Sequence, residues 1–179
     1  MNTTITSFDA RDLRRAFGSF GTGVTVVTAR SNDERLAGLT VNSFSSVSLE
    51  PPIVAWSLAT QSASLELFKE AGRFVINVLT VDQLRLARQF SNPLADKFAN
   101  VDYQAGLADQ PVLEDCAATL ECRIVGTHLV GDHCMFLGQV ERYSHCARRP
   151  LLFCQGAFQQ GIELVEAPQQ NLLDQRRTA

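Results

Sequence analysis

The spacing of apolar and polar positions changes several times along the chain, and each change marks an element. From Asp9 to Phe20 (DARDLRRAFGSF) Leu13, Ala16, Phe17 and Phe20 recur three and four residues apart, which is the period of one helix face. Asp9 is a good cap and Gly18 a good stop, so a helix is predicted from about Ala10 to Phe17. Gly21-Thr22-Gly23 then opens VTVVTAR, a β-branched run that reads as a strand. Ser31 to Glu34 (SNDE) has turn chemistry. The stretch Gly38 to Leu58, GLTVNSFSSVSLEPPIVAWSL, is the return strand. Pro51-Pro52 cannot donate ladder hydrogen bonds and marks a corner, after which Ile53 to Leu58 forms another strand.

Gln61 to Ala71 is helix-like, with Leu65, Leu67 and Phe68 apolar and Gly72 as its stop. Phe74 to Leu79 (FVINVL) reads as a buried strand, and Asp82 as the cap of a helix over DQLRLARQF. Ser91 to Gln110 is loop-like. Strands follow over Cys116 to Val125 and Cys134 to Tyr143, with Gly131-Asp132-His133 in the turn between them, and Leu151 to Cys154 is a last short strand. Six or seven strands, two or three short helices and hairpin-length turns predict a mainly β chain closed into an antiparallel barrel. A length of 179 residues suits one core. The expected organisation is a single domain over 1–160 and a polar tail over 161–179, either a loose extension or a docking segment.

Composition narrows the class. The chain is 45% apolar and 20% charged with a net charge of -3, which argues against nucleic acid as the main partner. No apolar run is long enough for a membrane span. MNTTITSFDARDLRRAF lacks an apolar signal core, so a cytoplasmic location is expected. The five cysteines include no CxxC pair and read as reduced thiols.

Four places carry candidate chemistry. Within Gly38–Leu58, Thr40, Asn42, Ser43, Ser45, Ser46 and Ser48 alternate with Val and Phe, and the sole charge is Glu50. A short-chained, uncharged polar wall suits a ligand needing many hydrogen bonds and close backbone approach. Gln61-Ser62-Ala63-Ser64 precedes a helix and is either a plain serine cap or an anion site. With Ser62 as cap, Leu65 occupies the position where a capping box needs Glu or Gln. Lys97 is a surface lysine or an added point charge. His133 is a turn histidine without a role, or a donor and acceptor projecting into a cleft. Cys122, His128, His133, Cys134, His145 and Cys146 match no zinc spacing. GxGxxG and GxxxxGK[ST] are both missing. Trp56 reads as core.

From about Leu13 to Phe158 the chain resembles the short flavin reductases, the reductase components of two-component flavin-dependent monooxygenases. The matching pieces are FGTGVTVVTA, GLTVNSFSSVSLEPPIVAWSL, SASLELF, FVINVL, QF then KF, LEC, GDH with the strand after it, and PLLF. The resemblance implies an FMN-binding split β-barrel, antiparallel and Greek-key-like, that dimerises with flavin near the subunit interface. It implies that Thr40, Val41, Asn42 and Ser43 line the isoalloxazine, with Ser57 and Leu58 on the neighbouring strand end. Ser62, Ser64 and Lys97 match positions around the ribityl phosphate, Phe90 an aromatic beside the flavin pocket, and His133 the position that meets the nicotinamide. One piece departs: PLLFCQGAF lacks the aromatic and basic residues that the family often shows before the final glycine.

The implied activity passes hydride from NADH or NADPH to FMN or FAD and supplies reduced flavin to a partner monooxygenase. Such a reaction needs positioning more than a protein acid or base, and the sequence contains no obvious acid–base pair. Two other readings stay open: a non-enzymatic flavin carrier on the same barrel, and a flavoenzyme with bound FMN acting directly on an organic substrate. The choice between FMN and FAD is unmarked. No arginine cluster suited to a 2′-phosphate is readable, so NADH and NADPH are equally open.

Overall fold

The computed structural model describes residues 9–93 and 96–162; most of the expected tail, 163–179, lies outside the described residues. Helix α1 spans Ala10–Gly18, and the Asp9 carboxylate caps it by accepting from the Arg11 N–H at 2.8 Å. No residue of α1 is buried, and Phe17 and Phe20 are 68% and 78% exposed. Its apolar stripe therefore does not enter the core.

Strands β1 (Thr22–Gly23), β2 (Thr25–Arg30) and β3 (Leu36–Val41) follow. Strands β4 (Ser45–Leu49) and β5 (Pro52–Ala59) form a hairpin with Leu49 opposite Pro52, so the expected corner is the tight turn Glu50–Pro51. Helix α2 (Leu65–Ala71) ends at Gly72, whose φ of 63° is the left-handed closure a glycine allows. After β6 (Arg73–Val78), a short 3₁₀ turn, Val81–Gln83, leads into α3 (Leu84–Ser91). The Gln83 side chain accepts from the Thr80 N–H at 3.0 Å. The turn thus starts from Thr80 rather than from Asp82 as expected. Strands β7 (Tyr103–Ala105), β8 (Pro111–Leu113), β9 (Ala118–Val130), β10 (His133–His145), β11 (Leu151–Cys154) and β12 (Ala157–Gln160) complete the chain.

Seven strands form one antiparallel sheet in the order β3-β2-β6-β9-β10-β5-β4, joined by a small sheet β1-β11-β12 and the pair β7-β8. The expected barrel closure is not formed. Among the described residues, β3 and β4 are free edges of the large sheet and do not pair with each other. The connection between them is three residues long, and β4 turns back onto β5 instead. Side-chain packing does the closing. Val27, Ala29 and Ala37 from one end of the sheet share a core with Val54, Trp56 and Phe136 from the other.

The curl that permits this comes from β9 and β10, whose register shifts at Leu137/Gly138 and at Val140/Arg142. Trp56 fills the centre, stacked on Phe136 at 4.7 Å and edge-on to Phe68 and Phe74 at 5.0 and 5.7 Å. Burying one such ring contributes on the order of 5 kcal/mol. A second core under α3 holds Val24, Val26, Leu79, Ala87, Phe90 and Leu113. Asn77 links sheet to loop: its Nδ2 donates to the Val26 carbonyl and its Oδ1 accepts from the Leu113 N–H.

Candidate functional site

Strand β3 provides an open edge. The Gly38 carbonyl faces away from β2 and accepts from Lys97 Nζ at 3.3 Å. Backbone direction alternates along an antiparallel strand, so Thr40, two residues on, also turns its N–H and C=O outward. Thr40, Val41 and Asn42 line a cleft of about 190 Å³ with Ser91, Phe153 and Phe158. The Thr40 hydroxyl donates to the Ala87 carbonyl at 2.7 Å, which fixes β3 against α3 and leaves the outward backbone groups for a ligand. The Asn42 side chain is exposed and, among the described residues, makes no hydrogen bond. Phe153 and Phe158 pack edge-on at 5.3 Å and form the opposite, apolar wall. Both belong to the small sheet β1-β11-β12, the region where the sequence departs from the family pattern, and sequence reasoning did not place them here.

Ser43 and Ser57 come together as expected. Ser43 Oγ donates to the Ser57 carbonyl at 3.1 Å and accepts from the Ser57 N–H at 3.0 Å. Ser43 therefore holds the β3–β4 connection on β5, with its hydroxyl engaged by protein. Leu58 points the other way. It is 6% exposed and its side chain belongs to the main core. Phe90, expected beside the flavin pocket, is fully buried, and its ring backs Gly38 so closely that a Cβ there would lie 2.3 Å from it. Phe90 shapes β3 from behind and lines no accessible surface.

Ser64 and Lys97 share a cleft of about 290 Å³ with Leu36, Asp96 and Phe98. Lys97 Nζ donates to the Phe90 carbonyl at 2.9 Å as well as to Gly38, and burial pulls its pKa below the ordinary lysine range. Helix α2 begins one turn later than expected, with Ser64 rather than Ser62 at its cap position and no side chain capping it. Ser62 Oγ instead accepts from the Ser64 N–H at 3.3 Å in the preceding turn.

His133 opens β10 opposite Val130, across a two-residue turn in which Gly131 takes φ 59°. The Asp132 carbonyl accepts from the Thr60 N–H at 2.9 Å and the Thr60 hydroxyl at 3.1 Å, which pins this turn to the end of β5. His133 Nδ1 lies 2.7 Å from Asp132 Oδ1, and this hydrogen bond is the largest cause holding the Asp132 pKa below its ordinary range. The register pairs His133 with Ala59 and Met135 with Ser57. Side chains alternate in a strand, so His133 and Ser57 share one face as diagonal neighbours while Cys134 and Leu58 enter the core. The structure thus brings Ser57 and His133 to one face of the sheet, with Ser43 bonded to the Ser57 main chain at the edge of β5. The cleft lined by Thr40–Asn42 does not itself include His133. Among the described residues no group of His, Cys, Asp and Glu is placed to hold a metal, and no helix is long and apolar enough to cross a membrane.

A flat aromatic ligand with one polar edge fits this ground: two phenyl rings on one side, and on the other an outward-facing strand edge ending at a free amide. Flavin has that form. The comparisons with known proteins agree. Residues 17–161 match the family model described as flavin reductase like domain. The FMN reductase (NADH) SmoA of Agrobacterium fabrum is 43% identical over 150 residues, covering 84% of this chain and 85% of that protein. A Rhizobium meliloti relative, 41% identical over 151 residues, is about twice as long, so that the chain spans 49% of it. Among solved structures, the Streptomyces globisporus C-1027 NADH:FAD oxidoreductase SgcE6, in complex with NAD and FAD fragments, superposes with a TM-score of 0.81. It is 34% identical, and the match covers 95% of this chain and 100% of that one. By sequence and by fold, this chain belongs to the flavin reductase family.

Proposed function

We propose that the chain is an NAD(P)H:flavin oxidoreductase that reduces FMN or FAD and supplies it to a flavin-dependent monooxygenase. The observation that carries this reading is the open β3 edge at Thr40–Asn42, faced by Phe153 and Phe158, with His133 and Ser57 on one adjoining sheet face. The names of the relatives point the same way: FMN reductase (NADH) for one, and NADH:FAD oxidoreductase for another.

When bound, the flavin supplies the hydride-accepting chemistry. The protein's part is placement. The outward N–H and C=O of Thr40 and the Asn42 amide hold the polar edge of the ring. Phe153 and Phe158 cover its apolar face and keep water from it. Ser43 keeps β3 and β5 at fixed separation through its two bonds to Ser57. Lys97 and Ser64 serve a phosphate from their common cleft. His133, oriented by Asp132, positions the nicotinamide amide by hydrogen bonding and transfers no proton.

A cleft of about 190 Å³ is smaller than the roughly 300–1,000 Å³ of most ligand sites, so a second wall is required. Exposed Phe17, Phe20, Val47, Leu49, Leu129 and Val130 give the chain an apolar surface suited to a second copy. We take the working form to be a cytoplasmic homodimer of a domain over 1–160. Replacing His133 tests the reading. His133→Ala should raise the KM for NADH or NADPH about tenfold, the loss of one directional hydrogen bond, and leave the flavin Kd in place. Unchanged kinetics would remove His133 from the site.

A further inference from the structure

The buried and half-buried threonines of the large sheet are all hydrogen-bonded. Thr25 Oγ1 donates to the Val41 carbonyl, Thr28 Oγ1 to the Pro111 carbonyl and Thr40 Oγ1 to the Ala87 carbonyl, and Thr119 Oγ1 bonds Ser144 Oγ at 2.8 Å. Thr22, in the small sheet, differs. Its Oγ1 is closed off from solvent and, among the described residues, has no hydrogen-bond partner. A buried hydroxyl left unpaired destabilises the fold, and a valine of nearly the same shape would not. The other unpaired side-chain atom of this kind, Trp56 Nε1, sits in the central core and lines neither of the clefts described above.

The pairing of the small sheet says where the Thr22 side chain lies. Thr22 pairs with Phe153 of β11, and Phe153 pairs in turn with Phe158 of β12. Residues directly opposite in antiparallel strands point to the same face. Thr22, Phe153 and Phe158 therefore form one row across the sheet. Val24, two residues on, continues the ladder by donating its N–H to the Leu151 carbonyl at 3.0 Å, and so shares the face of Thr22. Val24, Phe153 and Phe158 all line the cleft that faces Thr40–Asn42. Thr22 is the one polar member of a group whose other side chains face that cleft.

Thr22 as a whole is only half-buried, so its covered oxygen and its accessible atoms lie on different sides of one small side chain. Threonine has three staggered χ1 positions. A turn of about 120° moves the hydroxyl to another of them, and no hydrogen bond is broken by that turn.

We propose that Thr22 is a flavin-binding residue whose hydroxyl turns into the cleft and hydrogen-bonds a polar atom of the bound flavin. This rests on the assignment of that cleft to flavin made above. The bonded atom belongs to the polar edge of the ring or to a ribityl hydroxyl. The free protein carries the cost of the unpaired hydroxyl, and binding relieves it. Stability without ligand and affinity for flavin should then respond to substitution in opposite directions, which a merely structural threonine would not produce.

The test measures thermal melts of the flavin-free protein and the Kd of FMN, FAD and lumiflavin, which has the ring without the ribityl chain. Thr22→Val keeps the shape and removes the hydroxyl. It should melt about 2–8 °C above wild type and bind FMN and FAD about three- to tenfold more weakly. Thr22→Ser keeps the hydroxyl and loses the methyl group. It should melt below wild type and keep its FMN Kd within about twofold. A loss of equal size for lumiflavin and FMN identifies the ring as the bonded part; a loss for FMN without one for lumiflavin identifies the ribityl chain. The proposal is overturned if Thr22→Val binds FMN and FAD as wild type does, or if Thr22→Ser binds FMN as weakly as Thr22→Val. It is overturned as well if flavin-free Thr22→Val is less stable than wild type, because the hydroxyl would then have a partner within the protein. Wild-type protein that binds neither FMN nor FAD would overturn the assignment of the cleft to flavin, and this proposal with it.

Discussion

Gly38→Ala is the sharpest test of how the β3 wall is built. A Cβ at this position would lie 2.3 and 2.5 Å from two carbons of the Phe90 ring and 3.3 Å from Phe98. Carbon atoms in contact prefer about 3.5–4.0 Å, so the Phe90 ring would have to retreat by more than an ångström. It has little room. Phe90 is fully buried and packs edge-on against Phe98 at 5.1 Å, and Phe98 in turn packs on Tyr103 at 5.5 Å. Overpacking of this kind costs roughly 1–3 kcal/mol, offset by about 0.4–1 kcal/mol from the smaller entropy of the unfolded alanine chain. The net loss of about 1–2 kcal/mol should lower the melting temperature by about 2–8 °C. Urea and thermal melts measure it directly. Phe90→Leu destabilises by itself but removes the obstructing ring edge, so the double variant should be more stable than the two single losses summed. A Gly38→Ala protein that melts like wild type, or strict additivity with Phe90→Leu, would refute the packing argument.

Two further predictions concern stability. Ser43→Ala removes both hydrogen bonds to Ser57 at an exposed position, so it should cost about 0.5–1.5 kcal/mol in urea melts and weaken flavin binding; a flavin Kd equal to wild type would show that the β3–β5 separation does not matter. Glu121 is buried and bound to Arg142 and the Leu107 N–H. Burial pushes its pKa up, yet these partners outweigh burial and hold it below the ordinary 4.5. A depressed carboxyl pKa adds stability above 4.5 and loses it as pH falls through the folded value. Glu121→Gln should therefore be less stable than wild type at neutral pH, by about 1–3 kcal/mol, with the gap narrowing below pH 4.5; a gap independent of pH would contradict the ion-pair account.

Local signals in the sequence were sound where one element decided the outcome. Asp9 caps α1, Gly72 closes α2, and the double proline turns β4 into β5, because each depends on residues within a turn of one another. Long-range pairing was harder to see. The open edges of β3 and β4 depend on where a three-residue connection directs the chain, and no periodicity records that. Strands β9 and β10 run on past Val125 and Tyr143 because their outer ends are exposed on both sides and lose the alternation that marks a half-buried strand.

Within the candidate site, Thr40–Asn42, Ser43 and Ser57 were legible as a polar wall, and the structure places them together. Phe90, matched to an aromatic beside the flavin pocket, is buried behind Gly38, and Leu58 faces the core. Phe153 and Phe158 were invisible as site residues because they meet β3 from the far end of the chain.

The central claim is that this chain positions two cofactors so that hydride passes directly between them. Anaerobic mixing of the protein with FMN or FAD and NADH or NADPH tests it most directly. Loss of the oxidised flavin's visible absorbance, with one nicotinamide oxidised per flavin reduced and slower reduction when the transferred hydrogen is deuterium, is the expected result. Protein that binds flavin yet leaves both NADH and NADPH unoxidised would contradict the account.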